Sequence, residues 1–191
     1  MTVSCQTAAM TQRVKTIADR KNSAMPAMIR VLIFMGVSGS GKTTAAQLFA
    51  QRTGAVFYEG DDFHPLANIQ KMRAGIPLTD ADREEWLRRL SEIIARAGQK
   101  RALTVLACSA LKEKYRARLR GGDPCVKFVY LTGPPALIAE RLSQRRGHFL
   151  APSLLASQLA TLEPPADALQ FSCEQAPGEI VTALLQELGM R

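Results

Sequence analysis

The sequence predicts an α/β fold on a parallel sheet, and three observations lead there. A glycine-rich loop at Gly36–Thr43 sits between an apolar, β-branched stretch and a run of good helix formers. Short apolar stretches recur at 30–35, 55–58, 103–108, 126–131 and 169–172. Between them lie segments with apolar residues at helical spacing. Strands alternating with helices make a parallel sheet with helices on both faces. The chain has 191 residues, enough for one domain with a substantial core, and it shows no internal repeat or linker.

The loop reads Gly36-Val37-Ser38-Gly39-Ser40-Gly41-Lys42-Thr43 and fits G-x-x-x-x-G-K-[ST] at every fixed position. Arg30-Val31-Leu32-Ile33-Phe34-Met35 precedes it as a buried strand, and a helix from Thr44 to Arg52 follows. Gly36, Gly39 and Gly41 let backbone amides approach phosphate oxygens in torsions closed to other residues. The helix that opens near Thr44 points its free N–H groups and positive dipole end at the same anion. Lys42 is placed to neutralise the β- and γ-phosphates, and the Thr43 hydroxyl to ligate Mg²⁺. A glycine turn that binds nothing would not need this context on both sides. The pattern predicts ATP-type nucleotide binding with Mg²⁺ and leaves the acceptor unnamed.

Composition narrows the class. Hydrophobic residues make up 47% and charged residues 22%, ordinary values for a soluble globular chain. No apolar run approaches the roughly 20 residues needed to cross a bilayer, so no membrane association is expected. Half of the net charge of +8 lies in residues 1–30, and the remaining +4 suits an enzyme with anionic ligands. Aromatic residues do not interleave with the basic ones, which argues against nucleic acid. Cys5, Cys108, Cys125 and Cys173 are dispersed, without C-x-x-C or neighbouring histidines. A reducing cytoplasm is the natural compartment.

Taken in order, residues 1–28 lack periodicity and an apolar signal core, and read as a disordered extension, with a basic transit-like segment as the alternative. Residues 29–191 form the single domain. Ala55–Tyr58 reads as the second strand and ends in Glu59-Gly60-Asp61-Asp62-Phe63-His64-Pro65. Acids at the carboxyl end of a parallel strand face the ligand crevice. Residues 66–82 read as loop-rich, and a helix follows with Glu84 and Glu85 in its first turn and Trp86 in core or hinge packing rather than stacked on a nucleobase. The third strand ends in Cys108-Ser109-Ala110-Leu111-Lys112 without the aspartate of a Walker-B strand, leaving the metal to Thr43, phosphates, water and nearby acids. Lys112 through Arg120 carries five cations that spread around a helix; most read as solvated, with Lys112 nearest a ligand.

A fourth strand at 126–131 leads through Gly133-Pro134-Pro135 to a helix and to Arg141, Arg145, Arg146, Gly147 and His148. Arginines flanking a glycine read as a mobile lid, about residues 145–158, closing over phosphates. Ser153–Leu162 reads as a helix capped by Ser153, Leu169–Ser172 as a fifth strand, and Pro177 as the start of a terminal helix.

Four blocks go beyond the phosphate loop. They are Gly60–Pro65 with Asn68, Lys71-Met72, Gly75, Pro77-Leu78 and Asp82-Arg83; Cys108–Lys112 with Tyr115-Arg116; Arg141-Leu142 with Arg145 and His148-Phe149; and Ser157-Gln158 with Leu162-Glu163. In order and spacing they resemble the bacterial gluconokinases of the thermoresistant type, over roughly residues 31–188. The resemblance implies a shikimate-kinase-like P-loop kinase fold: five parallel strands sandwiched by helices, a helical substrate-binding region and a lid. It implies transfer of the ATP γ-phosphoryl to the 6-hydroxyl of D-gluconate, which feeds sugar-acid catabolism, and a homodimer at family level only. Two departures stand out: Glu59 where the family usually has aspartate, and Glu85 where it commonly has proline.

On this resemblance Lys42, Asp61 and Arg145 are the catalytic candidates, with Asp61 orienting the attacking hydroxyl. The nucleotide would be held by residues Gly36 to Thr44 and by Arg141. Asp61, Asp62, His64, Arg83 and Lys112 would bind gluconate, and Thr43 with Glu59 would serve the metal. A shikimate- or nucleoside-monophosphate-type kinase shares the fold and stays open on the residues alone. A P-loop GTPase switch or a non-catalytic nucleotide binder also stays open, although the N-K-x-D-type strand end that a guanine reader would want is not found.

Overall fold

The computed structural model describes residues 29–99, 103–144 and 154–190. Five strands, β1 (Val31–Met35), β2 (Val56–Glu59), β3 (Thr104–Ala107), β4 (Val126–Thr132) and β5 (Leu169–Ser172), form one sheet in the order β2-β3-β1-β4-β5. Every pairing is parallel. The central strand β1 is fully buried, and this explains its unbroken apolar sequence.

Side chains alternate across the sheet and divide the core in two. Val31, Ile33 and Met35 pack with Trp86, Leu87, Leu90 and Ile94 of α3 (Asp80–Gly98) and with Tyr115 and Leu119 of α4 (Glu113–Arg120). Leu32 and Phe34 pack on the other face with Ala45, Ala46 and Phe49 of α1 (Lys42–Thr53) and Ile180, Val181 and Leu184 of α7 (Pro177–Glu187). Two further helices, α5 (Pro135–Ser143) and α6 (Leu154–Thr161), place Ile138, Leu142 and Leu155 in a third cluster with Val37 and Leu111. Among the described residues no helix is long and apolar enough to cross a membrane.

The segment 66–82 departs from the loop-rich expectation. Leu66–Arg73 is a helix, α2, and it buries only Asn68 and Met72. A helix held by two such residues leaves no apolar stripe to read. The next helix begins at Asp80, where Thr79 and Asp82 form a reciprocal capping box. Glu84 and Glu85 therefore lie in the second turn, and the family's usual proline position is inside the helix. There Glu85 pairs with Arg88 at 2.8 Å and Arg89 at 2.9 Å, and these hold its carboxyl down at about 2.

The cations of α4 are also less uniformly solvated than expected. Arg116 is buried, and its Nη1 donates to the carbonyls of Ala110 and Leu111, both at 3.0 Å. Ala110 has φ 44°, alone among non-glycine described residues in being positive. The guanidinium thus holds a strained turn at the end of β3. The extension at 1–28, the arginines 145 and 146, His148, and Ser153 lie outside the described residues, as does the first part of the lid at 145–153.

Candidate active site

The phosphate loop begins where β1 ends. Gly36, Gly39 and Gly41 have φ of 137°, 86° and 88°. A Cβ on Gly36 would stand 2.5 Å from the Leu131 carbonyl oxygen, so this turn admits no side chain. Gly41 is the N-cap of α1, no side chain caps the helix, and no acid occupies its first turn. Its leading amides are left for an anion. The Ser40 hydroxyl is the one side-chain polar atom among the described residues that is buried without a hydrogen-bond partner. An uncapped helix start and an orphaned hydroxyl in one glycine loop fit a bound polyphosphate.

Two clefts flank the loop. One is lined by Gly39, Ser40, Gly41, Thr44, Arg141, Gln175, Pro177 and Ile180. Arg141 Nη1 donates to the Cys173 carbonyl at 2.7 Å, which places this predicted nucleotide residue on the same cleft as the loop. The other is lined by Ser38, Lys42, Asp61, His64, Arg83, Ser109, Ser157 and Gln158, with apolar walls from Met72, Leu78, Trp86, Leu111 and Leu154. Lys42 Nζ donates to the Val37 carbonyl at 2.9 Å. Mixed apolar walls and a few convergent polar groups suit a small polar acceptor.

The predicted metal residues meet. Thr43 Oγ1 donates to Glu59 Oε2 at 2.7 Å, at the end of edge strand β2. Burial pushes the Glu59 carboxyl up, against the opposing hydrogen bond from Thr43. A hydroxyl and one carboxylate beside the phosphate loop suit Mg²⁺, which takes few protein ligands and keeps phosphates and water. Glu59 also caps the 3-10 turn Gly60–Phe63, and this turn sends its two aspartates different ways. Asp61 lines the second cleft, whereas Asp62 is exposed and does not. Asp62, predicted as a substrate contact, thus lies outside the cleft that Asp61 lines.

His64 is buried, with its ring stacked on Trp86 at 4.5 Å and 8°. Burial, with Arg83 nearby adding to it, pushes its pKa down to about 4, so the ring is neutral near pH 7. Trp86 also donates from Nε1 to the Gly60 carbonyl at 2.7 Å, tying α3 to the turn that carries Asp61. Arg83 donates to the carbonyls of Leu78 and Thr79 and lies over the Tyr115 ring at 5.8 Å.

A family model described as an AAA domain matches residues 31–165. A gluconokinase from Gluconobacter oxydans is 46% identical over 160 residues, covering 82% of this chain and 90% of the relative. The chain belongs to the gluconokinase family. A gluconokinase structure from Sinorhizobium meliloti, 42% identical, superposes with a TM-score of 0.74 over 86% of this chain and 92% of that one. A shikimate kinase from Bacteroides thetaiotaomicron, only 18% identical, superposes with a TM-score of 0.61 over 86% of this chain and all of that one, and so shows the shared fold.

Within this gluconokinase-family fold, a second predicted substrate residue sits apart from that cleft. Lys112 does not line it; its Nζ is held by Asp80 at 2.8 Å. Asp80 also accepts from Lys114 at 2.5 Å and from the Tyr115 hydroxyl, and these donors hold its carboxyl well below the usual range. Lys112 therefore braces α3 against α4. Conversely, Gln158 lines the cleft and clasps the phosphate loop: Ser38 N donates to its Oε1 at 2.6 Å, and its Nε2 donates to Ser38 Oγ at 3.0 Å. The Ser157-Gln158 pair belongs to the gluconokinase-like blocks, but a contact spanning 120 residues has no local signature. Ser109, two residues past the end of β3 and within the same gluconokinase-like blocks, also lines the cleft. Arg145 lies outside the described residues.

Proposed function

We propose that this chain transfers the γ-phosphoryl group of ATP to the 6-hydroxyl of D-gluconate, giving 6-phospho-D-gluconate and ADP. The observation that carries the proposal is a single cleft in which Lys42 of the phosphate loop and Asp61 share walls with Arg83 and His64. Phosphoryl transfer needs position and charge neutralisation more than covalent chemistry, and this cleft joins a donor loop to an acid and two acceptor-binding groups.

In this reading the loop amides from Gly36 to Thr44 and Lys42 hold the nucleotide phosphates. Asp61 orients the attacking hydroxyl and takes its proton late in the transfer. Arg83 faces the gluconate carboxylate, and His64 meets another of its oxygens. Thr43 and Glu59 would hold Mg²⁺, which when bound neutralises phosphate charge. Arg141, and Arg145 from the lid, complete the phosphate contacts. The enzyme would work in the cytoplasm as a homodimer, without a nucleic-acid partner.

ADP release coupled to a colour reaction tests this with gluconate, shikimate and nucleoside monophosphates as acceptors. Turnover that depends on gluconate is expected. Turnover with shikimate or a monophosphate instead, or nucleotide binding without any acceptor-dependent turnover, would overturn it.

A further inference from the structure

The groups around His64 determine more than its charge. The Asp82 carbonyl is an obligate acceptor, and Asn68 Nδ2 donates to it at 2.7 Å. That contact fixes the Asn68 amide with its nitrogen, not its oxygen, toward α3. The same Nδ2 carries a second hydrogen and lies 3.3 Å from His64 Nδ1. An amide N–H requires an acceptor there, so Nδ1 carries the lone pair and the proton sits on Nε2. Trp86 covers one face of the ring, and no hydrogen bond to Nε2 is formed among the described residues. The ring lines the acceptor cleft together with Asp61, Lys42 and Arg83, the charged groups that face it.

We infer that His64 is a neutral Nε2–H donor to a substrate oxygen, and that Asn68 is the positioning residue that selects this tautomer. The chain of command runs from the Asp82 carbonyl through Asn68 to His64. The inference rests on gluconate being the acceptor but concerns a different property, the direction of one hydrogen bond. A neutral donor reads a hydroxyl or carboxylate oxygen without adding a second cation beside Arg83. It also penalises any analogue that presents only hydrogens at that point, since two donors would then face each other.

The protein has two histidines, His64 and His148, so its imidazole nitrogens are easily assigned with a His64→Gln sample. Two-bond proton–nitrogen correlation spectra of the wild-type protein at neutral pH should show His64 with a protonated Nε2 and a pyridine-like Nδ1. An Nδ1–H tautomer or an imidazolium would overturn the inference, whether or not gluconate is turned over. Asn68→Asp should move the proton to Nδ1, where the carboxylate accepts it, and raise KM for gluconate more than it lowers kcat. An unchanged tautomer in folded Asn68→Asp would remove Asn68 from the chain; should that variant not fold, the wild-type tautomer decides.

Side-chain replacement gives the second readout. Glutamine can place an N–H near the position of Nε2, whereas asparagine reaches only as far as Nδ1. His64→Gln should therefore keep kcat/KM for gluconate within a few-fold, while His64→Asn and His64→Leu lose about tenfold, chiefly through KM, the scale of one hydrogen bond. Glutamine as damaging as leucine, in variants with matching thermal melts, would overturn the donor role. Failure of the acceptor assignment looks different: wild-type protein would then release no ADP on gluconate while His64 kept its tautomer.

Discussion

Asp61 and Asp62 are neighbours of the same chemistry, and only the first reaches the acceptor cleft. Asp61→Asn removes the proposed proton acceptor and keeps the shape, so kcat should fall by about 10²-fold or more, the usual scale for a lost acid–base group. Asp62→Asn should leave kcat near the wild-type value; equal losses in the two variants would refute the division. His64 makes a separate prediction about stability. Its native pKa is about 4 against 6.5 for the ordinary group, so as pH falls the unfolded chain takes up the proton first. The contribution is whole above pH 6.5 and is lost between there and about 4, by roughly 3 kcal/mol at most. Asp82 acts in a lower window, because its native pKa of about 2 keeps its contribution until the pH drops below 3.8. Glu59, with its pKa raised, runs the opposite way and is common to both proteins in a wild-type against His64→Gln comparison. Urea unfolding at pH 7.5 and 4.5 should show a larger loss in the wild type than in His64→Gln; equal losses would contradict the buried neutral ring.

At the scale of elements, the site depends on how α2, the capping box and α3 are joined. Asp82 caps α3 through Thr79 and also pairs with Lys71 of α2 at 2.7 Å. The first turns of α3 carry Arg83 and Trp86, so this joint aims two walls of the cleft proposed to bind the acceptor. Thr79→Ala should cost about 1 kcal/mol in denaturant unfolding, the usual loss for an N-cap. It should also raise KM for gluconate, because Arg83 is tethered to the Leu78 and Thr79 carbonyls; an unchanged KM would separate the cap from the site. On the donor side, Gly39→Ala places a Cβ 2.8 Å from Leu142 Cγ and 3.0 Å from the Ile138 carbonyl, at φ 86°. Calorimetric ATP titration should show nucleotide affinity lost together with some stability, and undiminished affinity would mean that the loop can be rebuilt. Legibility in the sequence followed the same divide. The strands and α1 were readable because burial on both faces and a fixed motif leave local patterns. The helix α2 was not, because it is held by Asn68 and Met72 and has no stripe. The start of α3 is marked locally only by Thr79 and Asp82, a Thr-x-x-Asp variant of the capping-box spacing.

For the whole molecule, the sheet brings the carboxyl ends of β1, β2 and β3 to one edge, where a crevice suits ligands. The phosphate loop divides that edge, with Arg141 on one side and the Asp61 cleft on the other. The sequence blocks named most of the groups that meet there, since each block is local. What they could not supply was the pairing across the chain: Gln158 on the phosphate loop, Lys112 on Asp80, and Trp86 as both core and cleft wall. Trp86 had a clear core reading from helical spacing, and nothing in that spacing announces the ring of His64 against it. The central claim is transfer from ATP to the 6-hydroxyl of gluconate, and the product itself tests it most directly. Carbon and phosphorus NMR of the product from uniformly carbon-labelled gluconate should show phosphorus coupling at C6 and C5 alone; coupling at another position, or no phosphoester formed while the folded protein binds ATP, would contradict the account.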